Sequence, residues 1–155
     1  MSELEIVKRL KEVMKRAEQL NRIQLVVGIP SDESSRKEST GITNAELGVI
    51  HEFGAPEKGI PERSFMRSTA SEESENLGRL GNARIAEFLK GQKSAHDAFA
   101  DVGAYLQGKI VEKITDGDFV ANKEETAKRK KSSKPLIDTG QLRASITYEI
   151  RENES

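Results

Sequence analysis

Leu4, Val7, Leu10, Met14 and Ala17 recur at intervals of three and four, the spacing that lines apolar side chains along one stripe of an α-helix. Ser2 and Glu5 stand at capping-box spacing ahead of that stripe, so a first helix is expected from about Glu3 to Leu20. Ile23, Leu25, Val27 and Ile29 then alternate up to Pro30, the period-two pattern of a strand with one face on the core. Val26 brings apolar character to the other face. Between Ser31 and Gly41 no apolar residue occurs. Such a stretch cannot bury enough surface to offset its ordering entropy, and a mobile polar loop near 31–42 is expected.

Thr43 and Glu46 repeat the capping-box spacing, and Leu47, Ile50 and Phe53 mark a short helix stopped by Gly54. Pro56, Gly59 and Pro61 force the next segment to turn or extend. A long helical stretch follows from Phe65 to Gly91, weakened at Gly78 and Gly81 by about 1 kcal/mol each relative to Ala. Ser94 and Asp97 have N-terminal spacing for the clearest amphipathic helix, carried by Phe99, Val102, Leu106, Ile110 and Ile114 and ending near Gly117. This helix is expected to be the main core element. Asn122 and Glu125 could cap a short helix running into a basic loop near 128–135, closed by Pro135. Ile146, Tyr148 and Ile150 alternate as a last strand. The pattern predicts an α+β fold, with several helices packed on a small, mainly antiparallel sheet.

Composition narrows this picture. A chain of 155 residues fits one domain, burying roughly 70% of the surface its unfolded form exposes. Hydrophobic residues make up 35% and charged residues 33%, without Trp, a lean core that suits a protein supported by partner subunits. Lys and Arg number 25 against 26 Asp and Glu, so no global charge draws the chain to nucleic acid or to an anionic membrane. The absence of Cys removes disulfides, thiolate nucleophiles and Cys-based metal sites. The N-terminus opens with acidic and basic residues at helical spacing, and no apolar run approaches roughly 18 residues, so neither a cleaved signal nor membrane insertion is expected.

Several chemical motifs fail on inspection. His51 and Glu52 open a zinc-protease pattern, but Ala55 stands where the second His is required; a helix-end histidine facing solvent or a partner is the plainer reading. Gly54 and Gly59 have phosphate-loop spacing, yet Ile60 and Pro61 replace the Lys and the Ser or Thr that reach phosphate and magnesium. Asp138, Thr139 and Gly140 match the triplet of aspartic proteases, which share a proton between two carboxylates. A single triplet would require a symmetric, strand-rich dimer of retroviral type. In this helical chain, Asp138 or Thr139 fits better as a cap for a short helix carrying Leu142. Lys128, Arg129, Lys130 and Lys131 are candidates for phosphate contact, which would make binding salt-dependent; a solvated loop is favoured, since no aromatic interleaves the charges.

Two segments remain, ELGVIHEFGAPEKGIPERSFMRST from Glu46 to Thr69 and KPLIDTGQLRASITYEI from Lys134 to Ile150. The first resembles the His-Glu-x-Gly segment followed by Ile-Pro-x-Arg-Pro-Phe of bacteriophage neck, tail-completion and virion morphogenesis proteins. The second resembles their Leu-x-Asp-Thr-Gly-x-Leu-x-x-Ser-Ile segment. Ser64 stands where the family has Pro, and the Asp-Thr-Gly segment closes the chain instead of preceding the other. Circular permutation accounts for that order if the termini lie close together, and the C-terminal strand would then pair with the strand from Ile23 to Ile29.

The resemblance implies a structural protein without catalytic residues, cofactor, metal or small-molecule substrate. It would dock as a ring of its own copies at the head-tail junction, touching head-connector and tail proteins and contacting DNA non-specifically. It would reside in the host bacterial cytoplasm during assembly and then in the virion. The residues it singles out are His51, Phe53, Gly54, Ile60, Pro61, Arg63, Phe65, Asp138, Thr139, Gly140, Leu142 and Arg143. Phe53, Phe65 and Leu142 suit a core better than a contact. Arg63 and Arg143 are the better contact candidates, because a guanidinium can pair bidentately with a neighbour's carboxylate.

Overall fold

The computed structural model describes residues 1–31, 41–121 and 140–153; most of the expected polar loop and all of the expected basic loop lie outside them. Helix α1 spans Glu3–Leu20, with Ser2 and Glu5 exchanging both bonds of the capping box. Strand β1 is Ile23–Gly28. Helix α2, Asn44–Phe53, opens on a second capping box between Thr43 and Glu46 and stops at Gly54. A single 3-10 turn, Pro56–Lys58, precedes α3, Met66–Glu72, then α4, Ser74–Leu89, and α5, Ala95–Asp116. The short α6, Gln141–Ala144, leads into β2, Thr147–Glu152. β1 and β2 pair as a two-stranded antiparallel sheet, and the fold is α+β. The predicted pairing of the first and last strands is therefore present.

The expected helix from Phe65 to Gly91 is in fact two. The break falls at Glu73, whose backbone sits at φ -91°, ψ 5°, and not at Gly78 or Gly81, which lie within α4. Ser68 and Thr69 return their hydroxyls to the carbonyls of Ser64 and Phe65, a local alternative to helix bonding that weakens the turn before the break.

The described residues form two compact units. The first comprises residues 1–26, 74–105 and 148–153, with Phe88 and Ala98 buried. Here Arg16 donates to the carbonyls of Phe88 and Leu89 at 3.1 and 3.3 Å, satisfying the C-terminal end of α4. Gly103 of α5 meets the Tyr148 ring and Leu25 so closely that a Cβ would lie 2.7 Å from the ring. Asp101 receives Arg84 at 2.5 Å and Lys93 at 2.9 Å.

The second unit comprises residues 27–31, 41–73, 106–121 and 140–147. Its core is Phe65, Ile110, Ile114 and Ile146, packed by Val27, Ile29, Met66, Leu106, Val111 and Phe119. Ile110 and Ile114 are the expected core positions of α5.

Candidate functional site

The segment from Glu46 to Thr69 closes on itself as a clasp. α2 ends at Gly54, whose φ of 72° and ψ of 175° belong to a region essentially reserved for glycine. A Cβ at Gly54 would stand 2.8 Å from the Glu62 nitrogen. Ala55 and Ile60 then bridge antiparallel through reciprocal backbone bonds of 2.9 and 3.0 Å. That small loop returns the chain beside α2, and the Arg63 N–H donates to the His51 carbonyl at 2.7 Å.

The return brings two charged side chains into buried positions. Glu52 is 2% exposed. Its carboxylate accepts from Ser64 Oγ at 2.8 Å, from the N–H groups of Met66 and Arg67 at 2.9 Å each, and from Arg67 Nε at 3.0 Å. These N–H groups open α3 and have no intrahelical partner, so Glu52 caps that helix from 14 and 15 residues away. Burial pushes the Glu52 carboxyl up. The Met66 and Arg67 N–H groups, the Ser64 hydroxyl and the Arg67 guanidinium outweigh it, holding the group below the ordinary glutamate value.

Arg63, 3% exposed, donates through Nε to the Val120 carbonyl at 2.8 Å and through Nη2 to the Ala121 carbonyl at 3.3 Å. Its Nη1 lies 3.3 Å from His51 Nδ1. A guanidinium only donates, so Nδ1 is the acceptor of that bond. Burial lowers the Arg63 pKa from its usual value, and the group remains a cation at neutral pH.

Several sequence expectations change here. His51 does not face solvent; it is buried against Arg63. Arg63 is not a surface contact but an internal tie, because its fork matches two successive carbonyls. Phe53 is not a core residue: it is 57% exposed, with the Arg67 guanidinium 4.5 Å from its ring centroid. Phe65 and Leu142 are core, at 0% and 2% exposure. Ile60 and Pro61 are half-buried within the turn.

The second segment is described from Gly140 onward; Asp138 and Thr139 lie outside the described residues, as do Lys128, Arg129, Lys130 and Lys131. Gly140 takes φ 77° at the start of α6 and makes no side-chain cap. Leu142 then points inward, while Arg143 is exposed with Nη1 3.4 Å from Thr115 Oγ1. The two segments meet at Gly48, where a Cβ would lie 3.9 Å from both Leu142 and Phe65 and 2.7 Å from Ile29.

Chemically the clasp is closed. The Glu52 oxygens accept four donors, and His51 Nδ1 accepts from the Arg63 cation. Among the described residues no group of three His, Cys, Asp or Glu side chains could hold a metal ion. No described helix is long and apolar enough to cross a membrane. Glu52 was legible only as the second residue of the His-Glu-x-Gly core; its role was not, since its partners lie 12 to 15 residues on. Comparison with protein-family models, curated proteins and solved structures matches none of them to this chain.

Proposed function

We propose that this chain is a structural assembly protein of a tailed bacteriophage, acting at the head-tail junction as a neck or tail-completion ring subunit, and that its work is binding and not catalysis. One observation carries the reading. Residues 46–69 of the first signature-like segment and residues 140–147 of the second, far apart in sequence, lie in one compact unit, with Leu142 beside Gly48. The paired terminal strands are what a permuted signature order requires. Glu52 and Arg63 of the first segment are engaged in the clasp, which supports a role in shape over one in chemistry.

On this reading the protein is made in the host bacterial cytoplasm and enters the virion. It binds copies of itself and the head-connector and tail proteins, and the run Lys128 to Lys131 offers non-specific contact with DNA. Quantitative peptide analysis of gradient-purified virions from the parent phage tests this. The chain should be present in tailed particles in far fewer copies than the capsid subunit. Its exclusion from every particle would refute a virion role.

A further inference from the structure

Among the described residues, helix α1 carries an apolar stripe that nothing buries. None of its residues is buried, and Leu4, Leu10 and Met14 are 64%, 58% and 57% exposed, with Ile6, Val7 and Val13 also open. These side chains present on the order of 600 Å², the upper end of what a monomer leaves uncovered. A helix of this length is marginal in water unless its apolar face is packed.

Helix α2 is turned in an unusual sense. It buries Asn44, Gly48, His51 and Glu52, while Val49 and Phe53, with Ile42 ahead of the helix, face outward. The polar side is held inward by the clasp, so the apolar side is left for something else. Charge distinguishes the two faces. Lys8, Lys11 and Lys15, all exposed, run along one edge of the α1 stripe at intervals of three and four. Exposed Glu46 lies on the outer face of α2, Glu57 follows that helix, and Glu62 is held near the Phe53 ring by Arg67, 2.6 Å from its carboxylate.

We propose that α1 of one copy docks on the outer face of α2 in a neighbouring copy, its stripe against Ile42, Val49 and Phe53 and its lysine edge against Glu46, Glu57 and Glu62. This rests on the assembly reading above and names the interface that reading needs. The two faces offer on the order of 900 Å² of apolar surface, and with their charged rims they reach the roughly 1,200 Å² at which specific interfaces begin. They are different patches, so the contact is heterologous and propagates to a ring or filament. A centred antiparallel pair of α1 helices would instead set lysine edge against lysine edge.

The chain has no Cys, so introduced thiols are unambiguous, and Leu10 and Val49 are exposed enough to replace without unfolding the protein. Under mild oxidation, a mixture of Leu10→Cys and Val49→Cys proteins should give disulfide-linked dimers containing one of each. The double variant should give a ladder of oligomers. Adding Lys11→Glu and Lys15→Glu should lower that yield roughly tenfold, and further adding Glu57→Lys should recover part of it. Homodimers of Leu10→Cys alone, an internal disulfide within the double variant, or no cross-link above the cysteine-free control would each overturn the proposal. If such a result accompanies a gene deletion that leaves heads and tails unjoined, the interface fails while the assembly reading stands. If deletion leaves virions intact, the assembly reading itself has failed.

Discussion

Replacing Glu52 by Gln changes one atom type in a side chain that is 2% exposed and accepts four hydrogen bonds. The amide oxygen can keep some of these donors. The amide NH2 must face another, and a buried donor left unpaired costs about 1–3 kcal/mol. The remaining bonds lose their charge assistance, which roughly halves each. The Arg67 ion pair adds little, because that guanidinium is 53% exposed. Glu52→Gln should therefore lower stability by about 3 kcal/mol, or lower the melting temperature by about 10 °C for a chain of this size. Urea denaturation should be followed with amide exchange at Met66 and Arg67, whose protection should fall first. A urea midpoint within about 0.5 kcal/mol of the parent, with both amides still protected, would refute the capping role of Glu52.

The folded Glu52 carboxyl lies below its usual 4.5, so in that interval the unfolded chain binds more protons and stability rises with pH. Its contribution should be complete above about pH 5.5 and lost as pH falls through the folded value; Glu52→Gln should flatten that loss, and identical pH profiles would contradict the assignment. Gly54→Ala forces a Cβ into a glycine-only backbone region beside the Glu62 nitrogen and should cost about 3 kcal/mol in urea unfolding; a neutral result would mean the turn re-forms. Arg63→Lys cannot span the Val120 and Ala121 carbonyls together and should cost about 2 kcal/mol, read as lost protection of the segment around Phe119. Asp138→Asn should leave virion assembly intact, whereas in a dimeric aspartic protease it abolishes proteolysis of virion proteins.

The elements most legible in the sequence were those specified by neighbours. Ser2 with Glu5 and Thr43 with Glu46 announced two helix starts through bonds three residues long, and period-two alternation announced both strands. The failures share a different cause. The Glu73 break depends on backbone geometry and hydroxyl bonds that periodicity does not encode. Arg63 looked like a contact because its partners, Val120 and Ala121, are backbone carbonyls 57 and 58 residues away and carry no side-chain signal. Phe53 looked like core because apolar spacing identifies a face of α2 without saying which way it turns. The inward direction is set by Glu52 and His51, polar residues whose burial follows from tertiary bonds alone. Stripe spacing likewise predicted α1 correctly and was silent on what covers it.

Electron microscopy of particles produced after deletion of this gene from its parent phage or prophage, with complementation by the intact gene as control, addresses the central claim most directly. DNA-filled heads beside unattached tails, joined again on complementation, are the predicted result. Intact infectious virions without the gene would contradict the assignment to the head-tail junction.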